Sequence, residues 1–336
     1  MKTLLITGGA GFIGSNFIRH MLKEHPDCRI VNFDALTYAG NLENLREAAG
    51  NPRYSFIRGD IADAAQVDAA MSRGVDAIVN FAAESHVDRS IDDPGLFVRT
   101  NVLGTQVLLD AAKKYRVERY LQISTDEVYG ALGAEGLFSE ETPLAPNSPY
   151  SASKAGADLL VRAYHETYGL NIGITRCSNN YGPWHFPEKL IPLAITNALE
   201  DKEIPVYGDG LQVRDWLHVA DHCRAIDLVL RRGKSGRIYN IGGNNERTNL
   251  RIVKTVLAEL GKPETLIKHV KDRPGHDRRY AIDAARITGE LGWKPEYTFE
   301  TGLQATVKWY RENRQWWQNV KSGEYAAYYE KMYGNR

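Results

Sequence analysis

Short apolar runs recur along the first half of the chain, and each stops at a glycine, a small residue or an acid. Thr3, Leu4, Leu5, Ile6 and Thr7 form one such run, and Arg29, Ile30, Val31, Asn32 and Phe33 form the next. Residues 54–58, 76–81 and 120–123 repeat the pattern. Runs this short, bounded by turn residues, predict strands. Between them the apolar positions take a helical spacing. Phe17, Ile18, Met21 and Leu22 share one face after the first run, and another helix begins near Ala64. A longer helical pattern covers residues 94–115 and carries Thr100 and Asn101. Strand and helix alternating in this way predict an α/β fold with a parallel, doubly wound sheet. Right-handed connections then gather the loops at 8–14, 34–37, 60–61, 82–86 and 124–130 along one edge.

The second half keeps this pattern only at first. Residues 137–148 read as a loop with Pro143, Pro146 and Asn147. A helix follows through Tyr150, Leu159, Leu160, Tyr164 and Tyr168, with Gly169 as its stop. Residues 171–175 are another strand, and beyond them the sheet pattern weakens. We expect a Rossmann-like nucleotide-binding domain over residues 1–178. A smaller, mainly substrate-binding part is expected over 179–336, with some segments returning to the sheet. The aromatic-rich tail at 309–333 suits helix packing better than chemistry.

Composition narrows the classes. The 336 residues, 43% of them hydrophobic, suffice for one large or two moderate domains. Lys plus Arg equals Asp plus Glu at 42 each, so no nucleic-acid or membrane-surface partner is expected. Cys28, Cys177 and Cys223 are far apart and odd in number, which suits a reducing compartment. The chain opens directly on a strand, and no apolar run is long enough to span a bilayer. A cytoplasmic protein is expected.

The loops carry the candidate chemistry. Gly8, Gly9, Ala10, Gly11, Phe12, Ile13 and Gly14 lie between a strand and a helix. Glycines there let the backbone approach a pyrophosphate, and the helix N-terminus offers N–H groups to the anion. Asp34 ends the second strand. A carboxylate there can bind both ribose hydroxyls and would repel a 2′-phosphate, so NAD is favoured over NADP. Ala35, Leu36 and Thr37 would line the adenosine. Asp60, beside Ile61, either meets the adenine edge or caps the helix near Ala64. Ala82 and Ala83 leave room for the nicotinamide ribose, with Ser85 beside them. His86 is either a base or a polar loop residue. Asp126 and Glu127 sit just past a strand, where one carboxyl can be kept as an acid and the other as a base; the alternative is a solvated loop. Tyr150 and Lys154 have one-turn spacing, and a nearby ammonium favours phenolate. Further on, Lys189, before Leu190, could meet a diphosphate. Arg214 could fork onto phosphate oxygens or pair with Asp215 at the surface. Asn249 could touch a phosphate or cap its helix. Around Arg273, His276, Arg278 and Arg279 a basic stretch suits a diphosphate, or is a solvated loop.

The glycine loop with Tyr150-x-x-x-Lys154 resembles the extended short-chain dehydrogenase/reductase family. Residues 82–90, 124–130, 178–183 and 272–280 narrow the resemblance to its sugar-nucleotide 4,6-dehydratases acting on dTDP-glucose, across residues 1 to about 309. Several expectations follow from the resemblance. NAD is the cofactor, Thr100 and Asn180 belong to its pocket, and the chain is a homodimer through paired helices. Asn179 faces the sugar nucleotide. Pro205, Val206 and Tyr207 frame the nucleobase, and Asp272, Arg273, Pro274, Gly275 and His276 join the substrate site. Tyr150 takes the C4 hydroxyl proton, and Lys154 lowers its pKa. Glu127 takes the C5 proton, Asp126 protonates the departing C6 hydroxyl, and Thr125 bonds the C4 oxygen. Deoxysugars such as rhamnose are the usual context. The rivals are a UDP-sugar 4-epimerase or UDP-glucose 4,6-dehydratase on the same fold, or a non-catalytic NAD sensor.

Overall fold

The computed structural model describes residues 1–272 and 274–322. Seven strands form one sheet: β1 (Thr3–Thr7), β2 (Arg29–Asp34), β3 (Tyr54–Arg58), β4 (Ala77–Asn80), β5 (Arg119–Thr125), β6 (Ile172–Cys177) and, far along the chain, Arg237–Ile241. Every pairing among them is parallel. The chain winds from β1 outward through β2 and β3, then crosses to β4 and winds the other way. The reversal lies between β1 and β4, which is where open α/β sheets take ligands.

Helices cover both faces because the strands are apolar on both. Phe17, Ile18 and Met21 of the Phe12–Glu24 helix pack with Ile226, Val229 and Leu230 on one side. Val67, Leu108, Leu109 and Val161 form the other. The Arg237–Ile241 strand is β10, and beside the main sheet lie β7 (Asn179–Tyr181), β8 (Ile204–Tyr207), β9 (Val213–His218), β11 (Glu246–Thr248) and β12 (Ile267–Val270). Of these, β11, β9 and β7 form a small sheet, and β12 pairs with β8. A third apolar cluster, including Ile195, Val253, Phe299, Trp316 and Trp317, fills this part. The tail aromatics up to Trp317 therefore pack, as expected; residues 323–336 lie outside the described residues. Among the described residues, no helix is long and apolar enough to cross a membrane.

Two departures from the sequence pattern shape the site. The run expected as one helix over 94–115 holds a π-helical stretch at Val98–Leu103 before the Gly104–Lys114 helix. The wider turn accompanies a buried Asn101, whose amide donates to Glu84 O and Ser153 Oγ and accepts from Glu84 N. The loop after β4 is thereby tied to the Tyr150 helix. At the switch point the backbones touch. Gly8 has φ +67°, and a Cβ on it would sit 2.6 Å from Ala82 N. A Cβ on Gly14 would fall 2.4 Å from Gly8 O. The glycines are therefore demanded by backbone contact as well as by an anion.

Gly8→Ala combines left-handed strain with that contact. It should cost at least about 1–3 kcal/mol of stability, read as a lower urea midpoint. An unchanged midpoint would mean the two loops separate freely.

Candidate active site

One cavity of about 470 Å³ runs along the carboxyl edge of the sheet. It is lined by the loops after β1, β2, β3, β4, β5 and β6 and by β8, β9 and the Lys189 turn. At one end are Gly8, Gly11, Phe12, Ile13, Gly14, Asp34, Ala35, Thr37, Asp60 and Ile61. Ala82, Ala83, Ser85, Thr100, Thr125, Asp126, Glu127, Tyr150, Lys154, Asn179 and Asn180 lie along it. Lys189, Leu190, Pro205, Val206, Tyr207, Arg214, Asn249 and His276 complete it.

The rest of the sequence-predicted set does not line the cavity. Leu36 has φ +55° and donates its N–H to Asp34 Oδ1 at 2.8 Å, so it shapes the Asp34 turn. Asp272 is exposed and holds His276 Nδ1 at 2.6 Å; it acts at one remove. Pro274 and Gly275 are exposed turn residues. Arg273 lies outside the described residues. Alternatives left open by sequence are also resolved. Asp63, not Asp60, caps the Ala64–Met71 helix, because its carboxylate accepts from Ala65 N and Gln66 N. Thr248, not Asn249, caps the Asn249–Leu260 helix. Arg278 and Arg279 turn to Asp209 and Glu246 and are spent on those carboxylates. Arg214 is no surface arginine: it is buried, donates to Val213 O and Asp277 O, and stacks 4.2 Å from the Tyr280 ring centre. His86 is buried, 3.9 Å from Asp88 and 4.0 Å from Glu188.

The cofactor end suits a dinucleotide. At Gly8 and Gly14 a Cβ would collide with neighbouring backbone, so the glycines keep this loop tight beside the cavity. Asp34 is buried at the end of β2 and accepts from Ala10 N and Leu36 N. Burial raises its carboxyl while those two bonds oppose the rise. At the far wall, Asn180 is oriented by His222, whose Nδ1 lies 2.8 Å from its Oδ1, and by Ser178 O.

At the centre, β5 ends in Thr125, which caps the short turn Asp126–Tyr129 by accepting Glu127 N. Asp126 is 2% exposed, and its Oδ2 meets no hydrogen-bond partner among the described residues. Burial, then the charges of Glu127 and Asp215, push its carboxyl well above the usual range, a shift that favours its protonated form. Glu127, half-buried beside it, shares the cavity. Tyr150 and Lys154 face the same space from the Pro149–Tyr168 helix, which a Ser148–Ser151 capping box starts and Gly169 stops. Lys154 is buried and donates to Ile123 O at 2.7 Å. Burial lowers its pKa, and the Asp158 charge opposes that. The Tyr150 phenol is raised well above its ordinary value, by burial and then by Glu127. The expected lowering by Lys154 is not among the main effects on this phenol, where burial and the charges of Glu127, Cys177 and Asp126 raise and only a Thr125 hydrogen bond lowers.

Sequence reasoning passed over several lining residues. Cys177 ends β6 and is reachable by the strand-end rule; Tyr38, His185, Glu188, Trp216 and Tyr280 carry no local signal.

A sequence model of the GDP-mannose 4,6 dehydratase family matches residues 5–306. The chain is 55% identical to a dTDP-glucose 4,6-dehydratase of Xanthomonas campestris pv. campestris, covering 97% of each chain. A Bacillus anthracis dTDP-glucose 4,6-dehydratase crystallised in complex with NAD superposes with a TM-score of 0.90 at 54% identity, over 96% of this chain and 100% of that one. A Thermus thermophilus UDP-glucose 4-epimerase complex with NAD gives 0.86 at 30% identity, over 93% and 99%. With a relative 55% identical over 97% of each chain, the chain belongs to the dTDP-glucose 4,6-dehydratase family.

Proposed function

We propose that this chain converts dTDP-glucose to dTDP-4-keto-6-deoxyglucose and water, with NAD held between the glycine loop, Asp34, Lys154 and the Asn180 wall. The observation that carries the reading is a buried Asp126 next to a half-buried Glu127, in the cavity that also holds Tyr150 and Lys154. Bound NAD would accept a hydride from C4 and return one to C6, and would bring a cationic ring into the pocket. Tyr150 takes the proton of the C4 hydroxyl, and Thr125 bonds the resulting ketone oxygen. The ketone acidifies the C5 proton, which Glu127 removes. Asp126 gives its proton to the departing C6 hydroxyl, which leaves as water. Glu127 returns its proton to C5. Lys154 holds the cofactor ribose and Tyr150 in place. Lys189 and Arg214 meet the diphosphate, and β8 frames the base. Enclosure of the reacting atoms keeps water from the intermediates.

We also place the enzyme in the cytoplasm as a homodimer. Its three cysteines are free, buried thiols, the state a reducing compartment keeps. Val98, Leu103 and Leu159 are 56%, 45% and 57% exposed on adjoining helical segments, an apolar face suited to a second copy. Leu159→Arg should therefore halve the mass seen by sedimentation, and an unchanged mass would place the contact elsewhere.

Incubation of the purified chain with dTDP-glucose and no added reductant tests the function. Mass loss of one water with a new keto absorbance is expected. Galactose configuration at unchanged mass would make it an epimerase, and no change with any sugar nucleotide while NAD stays bound would make it a sensor. Glu127→Gln should still oxidise C4 but form no 6-deoxy product; product at the wild-type rate would remove Glu127 from the base role.

Asp126→Asn should slow water loss more than C4 oxidation. It should also change the pH dependence of stability. The unfolded chain releases this proton near the ordinary 3.8, while the folded chain keeps it. Folded protein then holds the extra proton, so Asp126 makes stability fall as pH rises from 3.8 through its raised folded value. In urea melts the variant should gain on the wild type across that window. A constant difference would mean that Asp126 is ionised in the fold.

A further inference from the structure

Away from the cavity, three side chains converge where the Phe12–Glu24 helix ends against the Val219–Arg232 helix. His20 Nε2 lies 3.2 Å, and His25 Nε2 2.7 Å, from the same oxygen, Asp227 Oδ2. One donor atom from each of the three lies within 4.8 Å of the others. We propose that His20, His25 and Asp227 form a zinc site that clamps the nucleotide-binding helix to its neighbour.

Two imidazole nitrogens and one carboxylate oxygen are a donor set that Zn²⁺ accepts. Tetrahedral zinc with bonds of about 2.0–2.2 Å sets its ligand atoms roughly 3.3 Å apart. The His20 contact already has that separation, and the His25 contact needs to open by about half an ångström. The three side chains are 18%, 25% and 15% exposed, which leaves water access for a fourth ligand.

The donors are held in place before any metal arrives. Asp227 Oδ1 accepts from Arg231 Nε at 2.8 Å, so Oδ2 is the oxygen presented to both imidazoles. The His25 backbone is pinned on both sides: its N–H donates to Met21 O, and its carbonyl accepts from Cys28 N and Arg53 Nη1. Such outer bonds fix ligand orientation. The arginine charge beside the carboxylate opposes a cation, but its guanidinium lies on the far oxygen.

Zinc chloride titrated calorimetrically into chelator-treated full-length protein tests the site, with thermal melting in parallel. One equivalent per chain and a higher Tm are expected, since the three donors converge only in the folded state. His20→Gln and His25→Gln keep an amide donor for Asp227 but remove a good zinc ligand. Each should weaken zinc binding by at least about tenfold. Cys28→Ser, at a thiol on which Asp227 and Arg231 act electrostatically, should leave binding intact. Absence of zinc binding by the wild type, or equal binding by both glutamine variants, would overturn the proposal and leave a hydrogen-bonded His–Asp–His cluster.

Discussion

Seven parallel strands with their carboxyl ends on one edge are the constraint on which the rest of the molecule depends. Polar chemistry is forced into a partly dry crevice, and each group there meets the cost of leaving water differently. Asp34 takes two backbone N–H groups. Lys154 takes the Ile123 carbonyl. For Asp126 burial raises the carboxyl and so favours its neutral form. Some groups are not compensated by the chain at all. Asp126 Oδ2, Asn179 Oδ1 and Ser124 Oγ are buried without hydrogen-bond partners among the described residues. Native folds leave few such atoms unless a ligand completes them.

Beneath that edge lies a network that keeps the two chemical elements in register. Arg176 on β6 donates to Asp158 Oδ2 and to the Tyr129 hydroxyl. Tyr129, in turn, donates to Asn240 Oδ1 on β10. Asp158 belongs to the Tyr150 helix, one turn beyond Lys154, and Tyr129 closes the turn that carries Asp126 and Glu127. One buried chain of bonds therefore joins the tyrosine–lysine helix, the acid–base turn and the last strand of the sheet. Asp158 also offsets the desolvation of Lys154. Removing one partner from such a pair leaves an uncompensated buried charge, so the network holds position more than it adds stability.

What could be read from the sequence was local. Strand ends, the glycine loop, the Gly169 stop and the Tyr150–Lys154 spacing each depend on neighbours within a few residues. They sufficed for the parallel sheet and for most of one side of the cavity. The π-helical turn could not be read, because its apolar spacing is that of a helix and its cause, Asn101 bonding to Glu84 and Ser153, is tertiary. Capping assignments slipped by one to three residues, from Asp60 to Asp63 and from Asn249 to Thr248, because Asp, Asn and Thr are all good caps and the sequence offers several. The opposite wall was least legible. Tyr280 and Trp216 reach the cavity from segments whose local pattern says only strand or loop, and Arg214 faces it because Tyr280 covers its guanidinium.

A UDP-glucose 4-epimerase shares this backbone closely, so the fold cannot be what commits the site to elimination. Simple oxidation and return at C4 needs a group to take and give back one proton, the role proposed for Tyr150. Loss of water across C5 and C6 needs two further groups in opposite protonation states at the same pH. Adjacent carboxyls in the same solvent would titrate almost together. Here the turn that follows β5 buries Asp126 and leaves Glu127 half-open to the cavity. Desolvation and the mutual repulsion of the pair then act in the same direction, both favouring the proton on Asp126. The proposed division into acid and base thus follows from which of two neighbouring side chains the turn sends into the protein.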